Sequence, residues 1–155
     1  MGMYCEVTAA SADDVKKLDL DDFMVSTRTA TSTGTSLEKS WHGVHNLLTG
    51  EIWEGRGPLA FLLAGGEQLG DDEDSPRWFT AEETVKINQE LSAVTDDKFW
   101  SRFDAEEMES KDIYPGIWDE DEDDLKEEYV GYFHALKQVV ATAVRQQQGL
   151  LISVG

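Results

Sequence analysis

Leu37, Trp41, Val44 and Leu48 recur at spacings of 4, 3 and 4, which places them on one face of a helix. Ahead of that stripe, Thr35-Ser36-Leu37-Glu38 reads as a capping box, the threonine hydroxyl and the glutamate each satisfying an orphan amide. Gly50 suits the position just past the helix end. A longer stripe of Leu125, Tyr129, Tyr132 or Phe133, Leu136, Val140 and Val144 predicts an amphipathic helix over about residues 124–147, closed by Gly149. Between the two, Thr80 with Glu83 opens a helix whose apolar positions, Val85, Ile87, Leu91 and Val94, do not fall on one clean stripe. Thr95, followed by Asp96 and Asp97, starts another with Phe99 and Phe103 at i and i+4, and Asp104 with Glu107 caps a further short one.

The remaining apolar segments lack the helical period. Residues 3–8 and 150–154 predict short strands, and residues 77–79 an extended piece. Ser11 caps a helix with Asp13 and Asp14 in its first turn, where anions suit the dipole, and with Val15 and Leu18 toward the core. Residues 23–35 are rich in Ser and Thr without alternation and predict an irregular stretch or a weak edge strand. Pro58 before the apolar run 59–64 and Gly65-Gly66 after it favour a short helix there. Trp53 to Gly57 and Tyr114-Pro115-Gly116 are turns. Strands near both ends with helices between, and no repeated βαβ alternation, predict a helix-rich α+β domain whose first and last strands share one small sheet.

Composition narrows the function. The 155 residues suit one domain, and 40% hydrophobic content supplies a core. The net charge is -19, from 32 acids against 13 bases. That balance argues against nucleic acid or an anionic membrane, since phosphate binding needs clustered Lys and Arg. It leaves a basic partner, a cation or solubility. Cys5 is a single cysteine and forms no internal disulfide, which fits a reducing compartment. Residues 1–6 lack the basic and apolar runs of a secretory signal, and no apolar stretch of spanning length exists. The expectation is a cytoplasmic protein off the membrane.

Chemistry-bearing motifs are few. His42 and His45 stand at i and i+3, near enough to share a metal, but the zinc-protease spacing of i and i+4 with an intervening Glu is missing. The alternative is that His45, one turn after Trp41, packs at the edge of the apolar stripe. No metal and no cofactor is expected. No nucleophile elbow or phosphate loop is present either. Asp119 to Asp124 fail as an EF-hand, because Asp124 and Val130 stand where Gly and Glu are required. Residues 104–128 hold 13 acids against Lys111 and Lys126, net -11, which reads either as a solvated helix entry or as a docking surface. Five tryptophans are many for this length. Trp53, Trp78 and Trp118 sit in or beside turns, where aromatics can line a pocket or a contact site. The candidate pocket or contact residues are Trp41, His42, His45, Tyr114 and Trp118; the candidate acidic docking surface is Asp119, Glu120, Asp121, Glu122 and Asp123.

Met1-Gly2-Met3, the block from Leu37 through Trp41-His42-Gly43-Val44-His45 to Gly50, Pro58-Leu59 with Gly65-Gly66, Arg77-Trp78-Phe79-Thr80 and Ile113-Tyr114-Pro115-Gly116 form a recognisable set. With the long C-terminal helix and final strand, the chain resembles the YfbM-like family of uncharacterised bacterial proteins, a domain of unknown function. The resemblance implies one α+β domain over residues 1–155 and brings no catalytic residues. Two functional expectations follow. The first is a small acidic cytoplasmic binding or inhibitory protein for a basic partner, such as a nuclease or a toxin domain. The second is an enzyme or ligand-binding domain with a pocket near the Trp41/His42/His45 helix, histidine acting as acid–base and a carboxylate orienting it. A concave cluster of both histidines with a carboxylate favours the second. Histidines bonded to backbone beside an acidic face favour the first.

Overall fold

Five strands form one antiparallel sheet in the order β2-β1-β5-β4-β3: β1 (Cys5–Ala10), β2 (Gly34–Glu38), β3 (Glu67–Gln68), β4 (Arg77–Phe79) and β5 (Gly149–Val154). The computed structural model describes residues 3–16, 34–53, 55–71 and 75–155. Among these residues the helices are α1 (Ala12–Lys16), α2 (Trp41–Thr49), α3 (Ala81–Ser92), α4 (Asp96–Trp100), α5 (Ala105–Ser110) and α6 (Glu122–Arg145). The fold is α+β, with the first and last strands side by side, as the apolar ends of the sequence require. Tyr4 and Gly155 extend that pairing by exchanging N–H···O bonds of 2.9 and 3.0 Å.

The central strand β5 is buried from Gly149 to Ser153, which is why its sequence reads as a continuous apolar run rather than an alternation. Leu150 and Ile152 enter the main core with Cys5, Val7 and Phe79, while Leu151 joins Ala10, Val15 and Trp78 on the other face. Helices cover the main face, α6 lying against β1, β2, β5 and α3. The inward line of α6 is Leu125, Tyr129, Phe133, Leu136, Val140 and Ala143. Ala143, not the expected Val144, ends it, because 18 residues from Leu125 complete about five turns and return to the same face.

The caps at Thr80, Thr95 and Asp104 form as their chemistry predicts. Thr80 and Glu83 make both bonds of a capping box at 3.1 Å, Thr95 Oγ1 accepts from Lys98 N, and Asp104 accepts from Glu106 and Glu107. Ser11 and Asp14 pair in the same way at the start of α1. Two expectations about residues 35–38 are corrected. Residues 35–38 are strand β2, paired with β1, and not a cap; α2 begins after Ser40, which makes no side-chain cap bond. Leu37 reaches the core from that strand, so its agreement with the helical stripe is a coincidence of phase. In α3 the buried face is Thr84, Ile87 and Leu91, whereas Val85 is 39% exposed.

The run after Pro58 is a single 3-10 turn, Pro58–Ala60, followed by buried Phe61 and Leu62. Arg77 ties it to β4: Nη1 donates to the Gly65 carbonyl at 2.8 Å, and Nη2 to those of Phe61 and Leu62. The expectations for Leu18 and for residues 23–33 lie outside the described residues. No helix among the described residues is long and apolar enough to cross a membrane.

Candidate functional site

Every residue of α2 from Trp41 to Leu48 is buried, so the helix is enclosed on all sides. Such close packing has a steric signature: a Cβ at Gly43 would lie 2.8 Å from both Trp118 Cη2 and Tyr129 Cε1. A histidine in this position must satisfy both ring nitrogens internally. His42 does so with backbone, Nε2 standing 2.6 Å from the Ile52 carbonyl and Nδ1 3.0 Å from the Tyr114 N–H. A carbonyl can only accept and an amide N–H can only donate, so the ring is neutral with its proton on Nε2. Burial holds its pKa below the ordinary value of 6.5, and the bond to Ile52 offsets part of that effect.

Aromatic rings close around this imidazole. Trp41 stacks with it at 5.3 Å and Trp53 at 4.1 Å. Trp41 also donates from Nε1 to the Met3 carbonyl at 3.1 Å, and Met3 N–H donates to the Tyr114 hydroxyl at 3.0 Å. His42 therefore pins the loop at Ile52 and the turn at Tyr114 to the helix, and the Tyr114 turn also meets Met3, just ahead of β1. His45 is fully buried one turn further on. Among the described residues no three His, Cys, Asp or Glu side chains converge as a metal-holding group. The third histidine, His134, faces Asp96 at 2.8 and 2.9 Å on the surface and links α6 to α4.

Around Tyr114 the chain turns and lines a concave surface. Asp112 at φ 52° and Gly116 at φ 81° reverse its direction. Ile113 N–H then donates to the Met108 carbonyl at 3.0 Å, and Trp118 Nε1 to the Ile113 carbonyl at 2.8 Å. Two adjoining cavities of about 290 and 230 Å³ share Glu109, Gly116 and Trp118 in their walls. Ala105, Glu106 and Asp119 complete one, while Met108, Asp112 and Pro115 are among the residues of the other. The sequence shows Glu106, Glu109 and Asp112 only as members of the charge-rich segment. The signal it lacked is the reversal at 112–116 that brings them around Trp118.

Asp119, Glu120, Asp121, Glu122 and Asp123 are all exposed and enter α6. Asp121 is the N-cap and accepts from Asp124 N–H at 3.1 Å. The field extends across the helix. Glu128 is raised from its ordinary pKa by partial burial, then by Glu120 and Glu38. Tyr132 donates to Glu38 Oε2 at 3.0 Å, and partial burial, followed by that carboxylate, pushes its pKa up to about 12. Of the expected contact residues, the structure packs Trp41, His42 and Tyr114 into one cluster, with Trp118 on the other side of α2 over Gly43. Tyr114 and Trp118 line the groove, whereas Trp41, His42 and His45 are buried and line neither of its cavities.

Two further cavities lie elsewhere. One, of about 310 Å³, is walled by Phe61, Phe79 and Ile87. The other, of about 550 Å³, has Arg56, Arg102 and Trp53 in its wall, but Glu51 and the C-terminal end of α2 at Thr49 supply negative charge beside the two arginines.

A family model described as Domain of unknown function (DUF1877) matches residues 1–153. No curated protein matches the chain. Among solved structures, the crystal structure of a protein of unknown function, YfbM from Escherichia coli, superposes with a TM-score of 0.78 over 98% of this chain and 99% of that chain. The two sequences are 17% identical, so the likeness shows a shared fold.

Proposed function

For a chain that belongs to the domain-of-unknown-function family DUF1877, a membership that brings a fold and no assigned chemistry, we propose a role as a bacterial cytoplasmic protein that binds a basic protein partner. Binding inhibits the partner by covering its basic surface. One observation carries this reading. All 13 acids of residues 104–128 are exposed, and among the described residues the pair Lys111–Glu107, at 3.7 Å, is the segment's one lysine–carboxylate bridge. A field of this sign and density steers a basic partner and fixes its orientation, more than it adds raw affinity. His42 supports the same reading over an enzymatic one. Both of its nitrogens are engaged by backbone, and its lowered pKa opposes the protonated form a general acid needs.

The test is affinity capture from a bacterial lysate at low and at high salt. It compares the wild type with a variant carrying Glu120→Gln, Asp121→Asn, Glu122→Gln and Asp123→Asn, in which asparagine retains the cap at 121. The expected result is a discrete basic protein retained by the wild type at low salt, released at high salt and retained more weakly by the variant. Identical sets retained by both proteins at both salts would refute the proposal.

A further inference from the structure

We propose, resting on the binding reading above, that the groove beside Trp118 is the specific seat within the acidic face, and that it takes one arginine side chain from the basic partner. Three features combine there. The floor is apolar, made by Ala105, Met108, Pro115 and the buried Trp118. The rim carries the carboxylates of Glu106, Glu109, Asp112 and Asp119, all exposed and, among the described residues, none bridged by a lysine or arginine. The space is concave: two adjoining cavities of about 290 and 230 Å³ share Glu109, Gly116 and Trp118 in their walls, and each has room for a side chain.

Charge complementarity selects a cation, and the shape selects arginine over lysine. A three-carbon stem buries against apolar surface while its head stays at the rim. The guanidinium presents five donors in a planar fork and can meet two carboxylates at once, whereas an ammonium acts as a point charge. Glu109 stands in the wall of both cavities, so it is the carboxylate any occupant meets. Gly116 also lines both cavities, with nothing within 4 Å of where a Cβ would sit.

The experiment uses the full chain and a lysine-rich peptide with one central arginine, followed by amide chemical shifts and calorimetry. A second peptide replaces that arginine by citrulline, which has the same shape and no charge. One variant neutralises the rim (Glu106→Gln, Glu109→Gln, Asp119→Asn), and another removes the same charge outside the groove (Glu120→Gln, Glu122→Gln, Asp123→Asn). Melting curves confirm that both variants fold. The expected result is shifts concentrated at residues 105–109 and 113–119, with affinity falling about tenfold for the rim variant and by less than about threefold for the other. Citrulline should weaken binding to the wild type and make little difference to the rim variant. Equal losses from both variants, with the arginine peptide still bound by the wild type, overturn the groove assignment and leave the acidic-face reading standing. No binding of either peptide to the wild type overturns both.

Discussion

Replacing His42 tests whether its imidazole is a structural post or a reactive group. His42→Ala leaves the Ile52 carbonyl and the Tyr114 N–H without their partner in a buried setting, at about 1–3 kcal/mol each. It also removes the ring between Trp41 and Trp53, so the expected total is about 3–6 kcal/mol. Against the ~5–15 kcal/mol that holds a domain together, such a loss is close to unfolding. His42→Gln is gentler, because its terminal amide can still donate to Ile52; it orphans Tyr114 alone, at about 1–3 kcal/mol. The pH dependence follows from the lowered pKa. Below the ordinary 6.5 the unfolded chain takes up a proton at this position that the folded chain resists. Wild-type stability relative to His42→Gln should thus fall as pH drops from 6.5 toward the folded value, by at most ~1.4 kcal/mol per pH unit, and should not change above 6.5. Denaturant melts of the wild type and both variants at about pH 7.5 and 5.5 measure each quantity, with the difference cancelling the other titrating groups. If His42→Gln is as stable as the wild type at both pH values, the imidazole is not the post described here.

Trp41→Ala should cost ~3–5 kcal/mol and Leu136→Ala ~2–5 kcal/mol, since both side chains are buried, while exposed Lys126→Ala should stay within about 0.5 kcal/mol; thermal or urea melts decide. Gly43→Ala places a methyl against Trp118 and Tyr129 and should destabilise by ~1–3 kcal/mol, and a neutral result would mean that α2 packs more loosely than described. Glu128→Gln should raise the melting temperature at neutral pH and lose that advantage in acid. The folded carboxyl's raised pKa means the wild type gains stability as pH falls through that value, and holds the gain below the ordinary one.

What the sequence revealed depended on how far apart the cooperating residues stand. Caps at Thr80, Thr95 and Asp104 involve partners within three positions, and each was legible from spacing. The α6 stripe and the terminal strands were legible because burial there follows a simple period. Thr35 to Glu38 misled because a threonine three residues before a glutamate satisfies the capping pattern while β-branched and small residues equally suit a strand; only pairing with β1 decides. The setting of His42 depends on partners 10 and 72 positions away, which no local signal announces. The acidic segment was visible as charge, yet its concave part needed the backward turn at Asp112 and Gly116 to exist.

The place of β5 at the centre of the sheet has a consequence for how the protein is made. It follows every other described element in the chain, yet β1 and β4 both hydrogen-bond to it and not to each other. During synthesis, β1 can pair early with β2, and β3 with β4, but the two halves have no strand to join them until the residues after α6 leave the ribosome. Until then one edge of β1 and one of β4 stand open as templates for foreign strands. Closure is late and links residues more than 140 positions apart, Cys5 against Val154, the kind of contact that slows folding most. The nascent chain thus passes through a stage in which the acids of residues 104–128 already exist and the sheet does not. A segment of net -11 makes neighbouring chains at that stage repel one another, which opposes pairing between their open edges.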